Sequence, residues 1–185
     1  KNEYLKFRAN DENMTFVYAL AKLLKIKNSS FIKSMNSFTG LPHRYEFFLK
    51  KKGINFIDDS KATSFQATKF ALESSKNIYW IVGGLPKDKD KINLANVKNN
   101  IIKSYIIGKN INFFKKKIKN NLPFFVGKNL RNSINQILKD IKTFNKKNNT
   151  ILLSPASASY DQYLNFEHRG NEFKKLSKLY VRKYL

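Results

Sequence analysis

Three polar segments of this chain each follow a short apolar run, and each carries groups suited to holding an anion. Thr150 to Leu153 empties into Ser154-Pro155-Ala156-Ser157-Ala158-Ser159, and a polar stretch then opens an amphipathic helix. Asn77 to Val82 runs into Gly83-Gly84 and Lys87, and Ile54 to Ile57 runs into Asp58-Asp59-Ser60-Lys61. A parallel strand delivers its following loop and helix N-terminus to the carboxyl edge of the sheet, the usual place for an anionic substrate. An ammonium (Lys87), a hydroxyl (Ser159) and an unpaired N–H at a helix start (Phe166) would all fall on that edge. In the Asp59–Lys61 loop a carboxylate can hold ribose hydroxyls and an ammonium can approach phosphates. Each residue also has a plainer reading. Lys87 would sit in a solvated loop with Lys89 and Lys91, Ser159 would cap a helix, and Phe166 would fill core. Asp59 would be a helix N-terminal charge worth about 0.5 kcal/mol.

The elements that must position these groups follow from periodicity. Residues 12–25 carry apolar positions at Phe16, Val17, Leu20, Ala21, Leu23 and Leu24, a helical stripe with Lys in its last turn. A second short helix is expected from Ser29 or Ser30 to Asn36, capped by serine. Gly40 to Pro42 breaks the pattern. The boundary placed there divides the chain into residues 1–41 and 42–185. Strands are then expected at 45–49, 54–57, 77–82, 103–107, 122–126 and 150–153. Helices are expected at 64–75, partly over 92–100, and at 110–119, 129–145 and 163–180. Alternating strands and helices argue for an α/β fold with a doubly wound, mainly parallel sheet.

Composition narrows the function. The 185 residues carry 36 Lys and Arg against 13 Asp and Glu, a formal charge of +23, which raises nucleic-acid binding as one class. The basicity is nearly all Lys, interleaved with Asn, Ile, Phe and Tyr. Arg, the residue suited to bidentate phosphate recognition, stands only at 8, 44, 131, 169 and 182. Solvated lysine faces are therefore the expectation, with nucleic acid as the alternative. Lys115-Lys116-Lys117 follows Phe113 and Phe114, which is either a stacking platform or the end of an amphipathic helix with its phenylalanines inside; the second is expected. There is no cysteine, which fits a reducing cytosol, so a cytoplasmic location is expected. No apolar run reaches the ~20 residues of a membrane helix. Lys1 replaces an initiator Met, as expected of a piece cut from a longer polypeptide.

Four words in order carry a family resemblance. They are Gly40-Leu41-Pro42-His43-Arg44-Tyr45-Glu46, Ile57-Asp58-Asp59-Ser60-Lys61-Ala62-Thr63-Ser64, Trp80-Ile81-Val82-Gly83-Gly84 with Lys87, and the run from Leu152 to Phe173. Together they resemble Mur ligases of the D-glutamate-adding type. The resemblance implies a Rossmann-like C-terminal amino-acid-binding domain (42–185) preceded by the helical tail of a central ATPase domain (1–41). It implies D-glutamate contacts from Thr63, Lys87, Ser159 and Phe166, the last through its main chain. It implies an ATP-facing set of Asn10, Asn13, His43, Arg44, Asp59 and Lys61. His43 is expected to order the linker and nucleotide face rather than move a proton. Two departures stand out: Leu85-Pro86 replaces the acidic or glycine residues common before Lys87, and Ala9 stands where the family has histidine.

The same resemblance implies ATP and Mg2+ as cofactors, with the magnesium ligands, the phosphate-binding loop and the UDP-sugar domain outside this chain. No G-x-x-x-x-G-K-[ST] word occurs here. The implied partners are D-glutamate, ATP, UDP-N-acetylmuramoyl-L-alanine and the missing N-terminal and central domains, with the protein a monomer. Another amino-acid-adding ligase of the same fold, of the folylpolyglutamate or diaminopimelate-adding type, is the neighbouring alternative.

Overall fold

The computed structural model describes Leu5, residues 11–87, Asp90 and residues 93–184. The chain divides into two compact units, Lys1–Leu41 and Pro42–Leu185. The first holds helices α1 (Asp11–Leu23) and α2 (Asn28–Ser37), with Tyr18 set edge-on to Phe31 at 5.3 Å. No serine caps α2. The helix starts one residue before the expected serine, and its N-cap, Lys27, makes no side-chain cap bond.

The second unit is a six-stranded sheet in the order β1-β2-β6-β3-β4-β5. Its strands are β1 (Glu46–Lys51), β2 (Ile54–Asp58), β3 (Ile78–Gly83), β4 (Ile101–Ile107), β5 (Phe124–Lys128) and β6 (Asn149–Leu153). Only β1 runs antiparallel. It joins β2 through Lys52-Gly53, both at positive φ, the geometry of a two-residue hairpin turn. Helices α3 (Phe65–Ser74), α4 (Ile111–Ile118), α5 (Leu130–Phe144) and α6 (Phe166–Tyr184) complete the unit.

Alternation along the strands builds two cores. On one face Ile57, Ile78, Trp80, Val82 and Leu152 pack with Phe65, Leu72, Phe114 and Ile118 from α3 and α4. On the other Phe56, Tyr79, Ile81, Ile151 and Leu153 pack with Leu130, Ile134, Ile137, Phe173 and Leu176 from α5 and α6. Helices on both faces of a mainly parallel sheet make the doubly wound α/β fold expected from the alternation. Phe114 is fully buried and Phe113 packs against the same core, so the phenylalanines beside the lysine run point inward.

Several boundaries differ from the sequence expectation. The last helix begins at Phe166 rather than Tyr163, because Asn165 caps it: the Asn165 Oδ1 accepts the His168 N–H at 2.7 Å. The strand expected from Leu122 begins at Phe124 and runs through Gly127 to Lys128. In the 92–100 segment the only regular helix among the described residues is a 3-10 turn at Lys98–Asn100.

Candidate acceptor and nucleotide site

Chain order creates the crevice. The path runs β2, β3, β4, β5 along the sheet and then returns to insert β6 between β2 and β3. From β3 the chain proceeds toward β4, while α6, following β6, packs toward β1 and β2. Adjacent strands whose connections depart in opposite directions leave an open groove at their carboxyl ends.

Three loops converge there. Leu85 and Ala158 exchange both backbone hydrogen bonds (2.9 and 3.0 Å), and the Gly83 N–H donates to Pro155 O at 2.9 Å. The loop bearing Lys87 is thereby stitched to the loop bearing Ser159. Glycine is required at the seam: a Cβ on Gly84 would lie 2.3 Å from Ala158 O, and one on Gly83 only 2.1 Å from Ile107 O. On its other side the Lys87 loop reaches α3, where the Asp90 Oδ2 accepts the Phe65 N–H at 3.1 Å, just past Thr63 and the cap Ser64. Among the sequence-expected acceptor residues, Thr63 and Phe166 are half-buried, Ser159 is buried and Lys87 is exposed.

The residues expected to face a nucleotide are more varied. Lys61 holds its ammonium 3.8 Å above the centre of the Phe166 ring, a cation–π contact. His43 is buried, set edge-on to the same ring at 5.9 Å, and its Nδ1 lies 2.7 Å from the Asp58 Oδ2. Arg44 is exposed. Asp59 is buried: its Oδ1 accepts the Tyr45 N–H at 3.0 Å and its Oδ2 accepts the Ser154 hydroxyl at 2.6 Å. Burial pushes its pKa up to about 7, and the neighbouring Asp58 adds to the rise against the two hydrogen bonds. Asn13 is exposed on α1, in the first unit, and Asn10 lies outside the described residues.

His43, Glu46 and Asp58 form the one cluster of metal-ligand type among the described residues. It does not fit a magnesium ion, which takes oxygen ligands. The Lys174 ammonium is bonded to Glu46 and lies 3.6 Å from Asp58, so a cation already occupies the cluster. These contacts and the His43 N–H draw the Glu46 pKa below its usual value against the effect of burial.

No family model matches the chain. Over 177 residues it is 36% identical to the UDP-N-acetylmuramoylalanine–D-glutamate ligase of Rickettsia felis, a match spanning 96% of this chain and 39% of that protein. Over 170 residues it is 39% identical to the ligase of the same name from the Wolbachia of Brugia malayi, spanning 91% and 34%. The chain belongs to the Mur ligase family.

Solved Mur ligases share the fold. The MurF ligase of Thermotoga maritima in complex with ADP matches 90% of this chain and 37% of its own, with a TM-score of 0.57 at 15% identity. MurF of Acinetobacter baumannii gives 0.62 at 16%, over 91% and 37%. The chain thus spans well under half the length of these relatives.

Two residues of this Mur ligase chain escaped the sequence reading. Arg169, on α6, is 1% exposed, and Ser60, at the end of β2, is fully buried. The signal for Arg169 was available: it falls on the same helical stripe as Phe173 and Leu176, where a charge is out of place. Ser60 carried no such signal, because a serine after a strand is ordinary.

Proposed function

We propose that this chain supplies the acceptor amino-acid site, and one wall of the ATP site, of an enzyme that adds D-glutamate to UDP-N-acetylmuramoyl-L-alanine. The setting would be cytoplasmic synthesis of peptidoglycan precursors. In such a reaction ATP phosphorylates the terminal carboxyl of the UDP-linked acceptor, the D-glutamate amine attacks the acyl phosphate, and phosphate leaves. Residues 1–41 would be the tail of the central ATP-binding domain and residues 42–185 the amino-acid-binding domain. The missing domains would bring Mg2+ and the phosphate-binding loop, with the protein a monomer.

One observation carries this reading: the loops bearing Thr63, Lys87 and Ser159 meet the start of α6 at the carboxyl ends of β2, β3 and β6, tied by the Leu85–Ala158 bridge and by the Ser60–Phe166 and Phe65–Asp90 hydrogen bonds. A small dianion needs an ammonium, hydroxyls and free N–H groups, and that edge offers all three. Lys87 and Thr63 would hold one carboxylate, and Ser159 with the Phe166 N–H the other. Asn10, Asn13, His43, Arg44, Asp59 and Lys61 would face ATP. The role of the chain is positioning, holding the amine nucleophile ~3 Å from the acyl carbon.

Titration of the 15N-labelled chain with millimolar D-glutamate, with L-glutamate as control, tests the reading. Shifts confined to the 60–64, 84–87 and 157–168 loops, and stronger for the D form, are expected. Ser159→Ala and Lys87→Ala should each weaken binding roughly tenfold or more, the cost of a hydrogen bond to a charged group. Equal, scattered responses to both enantiomers would sink the acceptor site. The chain alone should release no ADP.

A further inference from the structure

Behind this edge the loops are organised around one buried cation. The Arg169 guanidinium donates from Nη2 to two carbonyls, Ser60 O at 2.8 Å and Ser157 O at 3.0 Å, and from Nε to the Ser60 hydroxyl at 3.0 Å. That hydroxyl in turn donates to Phe166 O at 2.8 Å, and the Ser60 N–H is held by the Asp58 Oδ1 at 3.0 Å. Among the described residues no carboxylate lies within ion-pair distance of Arg169, and its Nη1 has no hydrogen-bond partner. Burial pulls its pKa down to about 10. For packing alone an apolar side chain would serve the fold better than an unpaired buried charge. A planar fork that reaches three oxygens at fixed angles does something an apolar residue or a lysine cannot: it sets the spacing of the chains that carry them.

These bonds join three segments: Arg169 reaches from α6 to the loop after β2 (Ser60) and the loop after β6 (Ser157), and the Ser60 hydroxyl ties the first loop back to Phe166 O in the first turn of α6. Those segments carry Thr63 and Lys61 (after β2), Ser159 (after β6) and Phe166 (α6). We propose that Ser60 and Arg169 are positioning residues that weld these three segments into one body, so that the acceptor contacts keep a fixed mutual geometry. Lys61 follows Ser60 directly, so fastening Ser60 to Phe166 O also holds the Lys61 ammonium over the Phe166 ring. The nucleotide-facing ammonium and the acceptor-facing helix start therefore move together. Neither residue touches substrate. Their contribution is stereochemical: a site whose carboxylate-holding groups are free to drift accepts either enantiomer. The inference rests on the acceptor reading given above.

The test compares Arg169→Lys and Ser60→Ala with the unaltered chain, reading D- against L-glutamate binding by NMR titration and the ring-current shift of the Lys61 ε-protons. Arg169→Lys keeps the charge but cannot reach three oxygens. Ser60→Ala keeps every backbone bond and removes only the two bonds of the hydroxyl, to Phe166 O and from Arg169 Nε. Both variants are expected to shrink the D/L affinity ratio roughly tenfold and to move the Lys61 signal toward its solvent value. A variant that is merely less stable would lower both affinities together and leave their ratio intact, and that result would overturn the proposal. Should Arg169→Lys fail to fold, Ser60→Ala decides by the same two readouts. Absence of D-glutamate binding to the unaltered chain would instead remove the acceptor reading on which the inference stands, whereas binding with an unchanged ratio in the variants removes the inference alone.

Discussion

Asp59 and Asp140 are equally little exposed, each 8%, but Asp59 lies much deeper in the protein, and the two titrate in opposite directions. Asp140, on the α5 side of the sheet, accepts from Lys103 Nζ at 2.8 Å, the Tyr105 hydroxyl at 2.6 Å and Gln136 Nε2 at 2.8 Å. Burial would raise its pKa, but these donors outweigh burial and hold it below the usual carboxylate value. Asp59, at the crevice, accepts from the Ser154 hydroxyl and the Tyr45 N–H and feels the Arg44 charge, but burial and the neighbouring Asp58 outweigh these and its pKa rises to about 7. Depth of burial sets the penalty on a carboxylate, and the donors beside it decide whether that penalty is offset. The back of the sheet completes its own electrostatics. At the crevice edge the donors and charges near Asp59 do not offset its burial.

The largest expected effect is the pH dependence of Asp59. Its folded pKa lies above its unfolded one, so between the two the folded state binds the extra proton. Stability is then present below the unfolded value near 4 and is lost as pH rises through about 7. Across that window the loss comes to about 3 kcal/mol. Asp59→Asn should flatten the fall in unfolding free energy between pH 4.5 and 7.5, measured by urea denaturation, and should be more stable than the unaltered chain above pH 7. A variant with the same slope would break the comparison. The next effect belongs to the other region. Lys103→Met leaves Asp140 with neutral donors only; the pair is part-buried, so about 2 kcal/mol of stability should be lost. Asp140 should then rise toward the Asp59 pattern, a gain of pH dependence visible in the same melts.

The two cores were legible because strand alternation and the Leu130–Ile134–Ile137 stripe state which face each side chain takes. The crevice was legible as an edge, since the apolar runs end in small polar residues, and the structure does gather those loops, two by the Leu85–Ala158 bridge and the third through Ser60. What stayed hidden is the set of buried contacts behind that edge. Nothing in the local sequence says that Ser60 faces a residue 109 positions away, since that contact depends on β6 inserting between β2 and β3. The Asp59 environment was hidden for the same reason. A strand-end aspartate looks exposed until Ser154, 95 residues on, is placed beside it by the register of β2 with β6. Long-range pairing, not propensity, creates these sites.

The smallest expected effect is the most discriminating. Ser154 is fully buried; its hydroxyl donates to the Asp59 Oδ2 and shares a 3.1 Å contact with the Thr68 hydroxyl. That bond favours the ionised form of Asp59, so Ser154→Ala should push the carboxyl pKa higher still. At pH 5 Asp59 is protonated in the folded state, the lost bond is a neutral one, and the cost should be about 0.5–1 kcal/mol. At pH 8 the carboxylate is ionised and loses a charge-assisted bond, so the cost should rise to about 1.5–2 kcal/mol. Gln136→Ala is the matching deletion at Asp140. There the carboxyl is ionised throughout this range and Lys103 remains, so the loss should be of similar size at pH 5 and pH 8. Urea melts of the two variants at both pH values supply the contrast. A Ser154→Ala cost that does not grow with pH would mean that Asp59 is already ionised at pH 5, and that its two hydrogen bonds compensate for burial as completely as the lysine does for Asp140.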